Sequence, residues 1–385
     1  MNPIERLTLL GQRGMKSRGR KSGARGESRR PPRDIVTLED VARAAGVHYS
    51  TVSRALDPNK VWRVNEVTRK HVQAVARRMG YQRDMVASGL KRGRTHTVAV
   101  VVPDLGNPFI APILRGIANR LESAGLMPLI GETQDDSERL ERILGHLVSR
   151  RVDAIILAAA RLGDASVLRR VSRQGIPVVL AVRKVPGNRL PACTNDELLG
   201  GALAAEHLLA LGHHRVAQLR GPSDFYSTLE RAQGFSKAVA KAGAVELTVA
   251  STAGSPTPDE GARLMRLLLD RSRSVPTAVF AHHDLMALGA LTAMRERGLE
   301  CPKDISLVGF HDLPQVDRVT PPLTTVRQPG EELGRIAAEM TVAMLNSPAQ
   351  PPSSRSLAPT LIVRQSTAPR EPGSPPIESV RKSKP

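Results

Sequence analysis

Two spacings of apolar residues divide the chain. From about residue 96 to 345, short apolar runs alternate with longer stretches whose apolar positions recur every three or four residues. The runs include VAVVV, AIILA, PVVLA, RVAQL, TAVFA and ISLVGF; the periodic stretches include IAPILRGIANRLESAG, LGGALAAEHLLALG and LMALGALTAMRERG. Runs of strand length without a polar face, parted by amphipathic helices, predict parallel sheets covered by helices on both sides. Residues 35–81 follow only the helical spacing and predict a small all-helical unit.

Within that unit, Thr37 is placed to cap a helix and Asp40, three residues on, to reach back to it. Val41, Ala44 and Ala45 are expected on one buried face, and Gly46 to end the helix in a left-handed turn. A second helix is expected from Tyr49 to Leu56, with Val52 and Leu56 inward and Tyr49, Ser50, Ser53 and Arg54 outward. A third, from Asn65 to Met79, is expected to brace the pair through Val67, His71, Val72 and Val75. Two short helices crossing at a tight glycine turn form a helix-turn-helix, whose second helix enters the major groove of DNA. His48 stands where a hydroxyl would cap the second helix better. Trp62, the only tryptophan, is expected to pack inside the unit.

Charge sharpens this picture. Residues 1–95 hold 22 Lys and Arg against 8 Asp and Glu, net +14, whereas the remaining 290 residues are net +5. A basic head on a near-balanced body points to an anionic polymer bound at one end. Residues 1–34, rich in Gly, Ser, Arg and Pro, are expected to be a disordered basic tail, and 368–385 a second disordered tail. Cys193 and Cys301 lie far apart without a metal-ligand spacing, which gives no disulfide framework and no zinc signal and fits a reducing cytoplasm. No apolar run approaches 18 residues, so neither membrane spanning nor export is expected. Phosphate-binding glycine loops, H-E-x-x-H and G-x-S-x-G are absent from the sequence, so no enzyme and no cofactor are expected.

TLEDVARAAGV followed by TVSRAL, then TRKHVQAVARRMGY, resembles the N-terminal signature of the lactose-repressor (LacI/GalR) family of bacterial transcription regulators. VVPDLGNPF, GGALAAEHLLALGHHRVAQLRGP, RAQGF, MALGAL, DISLVGF, TPPLTTVRQP and LIVRQST are similar to family blocks in family order, covering about residues 35–367. The resemblance implies an α/β fold class: an all-α helix-turn-helix domain (35–81), a hinge helix (82–95) and a two-lobed periplasmic-binding-protein-like core of doubly wound parallel sheets (96–367). The first lobe would hold about 96–193 and 324–348, and the second about 194–323 and 349–367, with TLIVRQST as the last strand.

It also implies a homodimer on palindromic double-stranded operator DNA, controlled by a small-molecule effector in the cleft between lobes. Base reading then falls on Tyr49, Ser50 and Arg54, with Thr51 and Ser53 placed to touch phosphate. An arginine pairing with guanine discriminates by about 1–3 kcal/mol. Leu90 would wedge into the minor groove, with Lys91, Arg92 and Arg94 on phosphates. Effector contacts fall on Asp104, Phe109, Arg183, Arg231, His283 and His311. His283 and His311 stand where relatives carry hydroxyl-gripping polar or acidic groups, and Val182 where they carry an acid. These departures point toward an anionic effector, a sugar acid or phosphorylated metabolite, with a neutral sugar as the alternative; an imidazole near pKa 6.5 would make release pH-sensitive. The tail lacks leucine heptads, so no coiled-coil tetramer is expected.

Overall fold

A computed structural model describes residues 36–57, 62–81, 94–252, 255–272 and 274–370. The expected N-terminal tail (1–34), the expected C-terminal tail apart from residues 368–370, and the expected hinge apart from residues 94 and 95, with Leu90, Lys91 and Arg92, lie outside the described residues. The chain divides into two compact units, residues 1–84 and 85–385.

In the first unit, α1 (Leu38–Ala45) starts at Thr37, whose Oγ1 accepts from Asp40 N at 3.2 Å while Asp40 Oδ2 accepts from Thr37 N at 2.9 Å. Two orphan amides of the first turn are thereby satisfied. Gly46, at φ 65°, ends the helix. Helix α2 (Tyr49–Ala55) starts at His48, whose Nδ1 accepts from Ser50 N at 3.3 Å, so the imidazole does serve as its cap. Helix α3 (Glu66–Arg78) is capped by Asn65 Oδ1, which accepts from Thr68 N at 2.8 Å. The core is Val41, Ala42, Ala45, Val52, Ala55, Val72, Val75 and Ala76.

Three expected core residues are exposed: Ala44, Val67 and His71. With Val41 and Ala45 in the seam of α1, Ala42 and Ala44 flank it on opposite sides, and the packing of the other helices covers the Ala42 side. In α3 the seam runs through Val72, Val75 and Ala76, which leaves Val67 and His71 on the flank. Trp62 is also not packed: it is 73% exposed, with the Arg63 guanidinium 4.6 Å from its ring centre.

The second unit is built on two six-stranded sheets among the described residues. The first has the order β11 (Arg355–Leu357), β5 (Ala192–Asn195), β4 (Val178–Val182), β3 (Ala154–Leu157), β1 (Thr97–Val102), β2 (Met127–Glu132), with every pairing parallel. The second has the order β12 (Thr360–Ile362), β10 (Thr324–Arg327), β9 (Ser306–His311), β8 (Ala278–Ala281), β6 (Arg215–Arg220), β7 (Val245–Ala250), parallel except at β12. Strands β3, β4 and β8 are buried along their whole length, as a sheet covered on both faces requires.

The helices are α4 (Ile110–Ser123), α5 (Ser137–Ser149), α6 (Ala165–Ser172), α7 (Glu197–Ala210), α8 (Tyr226–Lys241), α9 (Pro258–Arg271), α10 (Asp284–Glu296) and α11 (Gly330–Asn346). None is long and apolar enough to cross a membrane among the described residues.

The chain crosses between lobes three times, between β5 and α7, between β10 and α11, and between β11 and β12. Two expected boundaries shift accordingly. Residues 324–327 belong to the second lobe, because they pair with β9, and residues 355–357 belong to the first, because they pair with β5. The last strand stops at Ile362 rather than 367. Beyond it the chain is pinned as an irregular strap: Leu307 N donates to Ser366 O (2.7 Å), Ala368 N to Ser306 Oγ (3.0 Å) and Arg370 N to Leu211 O (2.7 Å). Arg94, expected on phosphate, has its guanidinium on the carbonyl of Leu345 near the end of α11, at 2.8 Å.

Helices α4 and α11 touch backbone to backbone at Gly116, where a Cβ would lie 2.0 Å from Glu331 O. Gly116→Ala should therefore destabilise the protein by about 1–3 kcal/mol through overpacking. Gly145→Ala, inside α5 with open space around it, should stabilise by about 0.5–1 kcal/mol. Denaturant melts of the two variants check both signs.

Candidate nucleic-acid interface and ligand cleft

The outward face of α2 carries Tyr49, Ser53 and Arg54, all exposed, with Ser50 and Thr51 half-buried. Tyr49 is 51% exposed and tilts against the His48 ring at 4.6 Å between centroids. Ser50 Oγ lies 2.9 Å from His48 Nδ1. The residues of α2 that do not face Val41 and Val72 thus present a phenol, hydroxyls and a guanidinium on one short helix. Those groups are suited to base edges and phosphate oxygens.

In the second unit, the carboxyl ends of both sheets face a cleft open to solvent. Ligands of doubly wound sheets bind outside those strand ends. Phe109, Arg183, Arg231, His283 and His311 all line the cleft. Asp104 does not. Its Oδ1 accepts from Gly106 N at 2.7 Å, which spends the carboxylate on shaping its own turn. Asn107 lines the wall instead, with its Nδ2 3.3 Å from His283 Nε2 across the lobes.

Arg231 anchors the floor. Its Nε and Nη2 donate to Glu197 Oε2 at 3.0 and 2.7 Å, its Nη1 donates to His282 O, and its guanidinium lies 3.6 Å from the centre of the Phe310 ring. Gln328 Nε2 completes the group by donating to Glu197 Oε1 at 2.9 Å. Burial pushes the Glu197 carboxyl up and the Arg231 guanidinium down, and each draws the other back toward its charged form. The second guanidinium, Arg183, donates to Asp135 Oδ1 at 2.5 Å and stacks 3.7 Å over Phe225. Both cations of the cleft are thus matched by carboxylates.

The imidazoles add no charge. Burial, then Arg231 and Arg183, push His283 down to about 3; burial, then His283 and Arg231, hold His311 well below the ordinary range; burial, then Arg231, does the same to His282. Burial and the neighbouring arginines disfavour the charged form of all three rings, so they give no support to the expected pH-sensitive release near neutrality. His311 lies tilted against Phe109 and His283, with ring centroids 4.3 and 4.4 Å apart. Gln328 Oε1 and His311 Nδ1 are buried without a hydrogen-bond partner. Val182 and His311 hold φ of 65° and 106°, strained values for side chains with a Cβ and commonest at functional sites.

Glu197 and Gln328 escaped the sequence reading. Glu197 opens a helix right after Asp196, where an acid is ordinary capping chemistry; its burial depends on an arginine more than thirty positions on. An acid leading the largely apolar first turns of ELLGGALAAEHLLA was the available signal. Asp284, behind the wall, accepts from Leu313 N (2.8 Å) and Thr325 Oγ1 (2.7 Å), and burial raises it to about 7. Among the described residues no group of three or more His, Cys, Asp and Glu is placed to hold a metal ion. His213 is tied to Thr277 Oγ1 and Ala368 O, away from the cleft.

A helix-turn-helix with a polar outward helix, joined in one chain to a two-lobed cleft, defines a ligand-responsive DNA-binding regulator. Residues 37–84 match the family described as bacterial regulatory proteins, lacI family, and residues 205–367 match a periplasmic binding protein-like domain. The HTH-type transcriptional repressor CytR of Escherichia coli strain K12 is 34% identical over 86% of this chain and 96% of its own. A transcriptional regulator CelR-cellobiose complex aligns at 32% identity with a TM-score of 0.66, covering 86% of this chain and 99% of that one. The lac repressor dimer bound to operator and an anti-inducer aligns at 26% identity and a TM-score of 0.76, covering 87% and 100%. The chain belongs to the LacI family; it is a DNA-binding transcriptional regulator with an effector-binding domain, not an enzyme.

The buried histidines set a pH signature. In the unfolded chain an imidazole titrates near 6.5, whereas His283 in the fold stays neutral down to about 3. The unfolded state binds more protons throughout that window, so stability falls as pH drops from about 6.5 toward 3. Asp284 works in the opposite sense: its contribution is full below its ordinary pKa of 3.8 and is lost as pH rises through about 7. His283→Asn should flatten the acid limb by about 1 kcal/mol or more. Thermal melts from about pH 7 to pH 4.5 check this, and parallel losses in the two proteins would contradict it.

Proposed function

We propose that this protein is a cytoplasmic repressor that binds a roughly palindromic operator as a homodimer and answers to an uncharged, hydroxyl-rich small molecule. Helix α2 enters the major groove, with Tyr49, Ser50 and Arg54 on base edges and Thr51 and Ser53 on phosphates. Leu90 and Lys91 serve the minor groove between half-sites; they lie outside the described residues. A second copy meets this one along the edge strands, where Met127, Leu129 and Ile130 of β2 and Val245 of β7 stand exposed. The lac repressor dimer bound to operator supports the homodimer on DNA.

The observation that carries the effector reading is the charge balance of the cleft. Arg183 and Arg231 face Asp135 and Glu197, and the three imidazoles are neutral. A phosphate would bring two charges into a site whose lining arginines, Arg183 and Arg231, are already paired with carboxylates, at a cost of several kcal/mol. The anionic effector expected from the histidine substitutions is therefore replaced by a neutral one. Ring faces at Phe109 and His311, with unsatisfied atoms at Gln328 Oε1 and His311 Nδ1, suit the apolar faces and hydroxyl rim of a sugar. The cellobiose complex of a relative supports this class.

Two outcomes are expected. Arg54→Ala should flatten preference at one operator base pair by about 1–3 kcal/mol and leave nonspecific affinity nearly intact, as read by competition binding on single-base operator variants; uniform weakening would make Arg54 a phosphate contact. On an operator selected from random DNA, neutral mono- and disaccharides should include one that shifts affinity. A response confined to sugar phosphates or sugar acids would sink the neutral-effector reading.

A further inference from the structure

A second set of contacts closes the cleft at its mouth. Asp135 follows β2 in the first lobe, at φ 53°, with its side chain 4% exposed. Its Oδ1 accepts from Arg183 of the same lobe at 2.5 Å, and its Oδ2 accepts from Ser255 Oγ of the second lobe at 3.3 Å. Its backbone carbonyl accepts from Arg161 Nη1. The other terminal nitrogen of Arg161 bonds Asp224 Oδ2 of the second lobe, so one guanidinium ties a first-lobe loop to a second-lobe loop. Leu162 N donates to Asp224 O at 3.0 Å across the same gap. Arg161 is itself fixed, because its own amide donates to Asp164 Oδ2 at 2.8 Å. Beside it, Lys184 Nζ of the first lobe pairs with Glu230 of the second at 2.8 Å.

We propose that Asp135, Arg161 and Asp224 form a clasp that holds the lobes closed over the cleft before any effector arrives. A charge-assisted hydrogen bond such as Arg161–Asp224 is of the strong kind, and parting the lobes breaks it together with Asp135–Ser255, Leu162 N–Asp224 O and Lys184–Glu230. The clasp makes closure the resting state. A ligand that fits the closed cleft then binds without the penalty of selecting a rare conformer, and a weakened clasp lowers its apparent affinity by the fraction of molecules left closed. The inference rests on the effector reading above only in naming what the clasp covers. Its test reads lobe separation without ligand or DNA, so the two stand or fall separately.

The reporter is the Leu162 amide. Its acceptor is the backbone carbonyl of Asp224, which a side-chain substitution leaves in place, so faster exchange there means that the lobes have parted. Hydrogen exchange on the full-length protein is compared for wild type, Arg161→Asp, Asp224→Arg and the double swap, with Val100 in β1 as the reporter of the intact fold. Each single variant should speed exchange at Leu162 about tenfold or more, with Val100 unchanged, and the swap should restore it to within about twofold. Unchanged exchange in the singles, or no rescue in the swap, overturns the clasp. Should a charge reversal fail to fold, Asp224→Asn carries the same test, and wild-type exchange at Leu162 in that variant overturns the proposal.

Discussion

The buried pair Arg231–Glu197 is the constraint around which the sensing unit is arranged. Taking a guanidinium and a carboxylate out of water costs several kcal/mol each, and their attraction repays it only when the remaining hydrogen-bonding groups are also satisfied. Here Gln328, the carbonyl of His282 and the face of Phe310 complete the shell. The demand fixes backbone as well as side chains. Helix α7, which supplies Glu197, lies so close to α8, which supplies Arg231, that a Cβ on Gly201 would sit 2.0 Å from Arg231 O. It also fixes electrostatics: an arginine committed to Glu197 has no net charge left to offer a ligand.

The same group touches two of the three places where the chain changes lobes. Glu197 begins the element after the first crossing, and Gln328 lies in the second, two residues before α11. That helix runs from the cleft wall to Leu345, whose carbonyl holds Arg94. This seventeen-residue helix packs along α4 with backbone contact at Gly116 and Gly334. One helix thus carries contacts from the cleft wall to the Arg94 end of the second unit.

Much of this was legible from the residues. The Thr37–Asp40 cap, the glycine turn at Gly46 and the outward face of α2 follow from local chemistry, and the apolar runs placed the strands. What failed did so where the answer lay in tertiary packing. Ala42 and Ala44 are interchangeable by composition, and only the direction of α3 chooses between them. Val67 looks like core until the seam through Val72 and Val75 is known. Asp104 carries a plausible ligand-facing acid, yet its own turn claims it. The histidines suggested an anion-binding cleft because their charge state depends on burial, which no local pattern reports. The contacts of Asp135 with Arg183 and Ser255 join residues 48 and 120 positions apart, beyond any reading of spacing.

The central claim is that a neutral cleft in the second unit and the reading face of α2 in the first are energetically linked. Linkage is reciprocal: whatever factor an effector imposes on operator affinity, the operator must impose on effector affinity. The most direct measurement is calorimetric titration of an effector into the protein alone and into the protein saturated with operator. The account predicts two dissociation constants that differ by the same factor as the operator affinities measured with and without effector. Identical constants in the presence and absence of operator would contradict it.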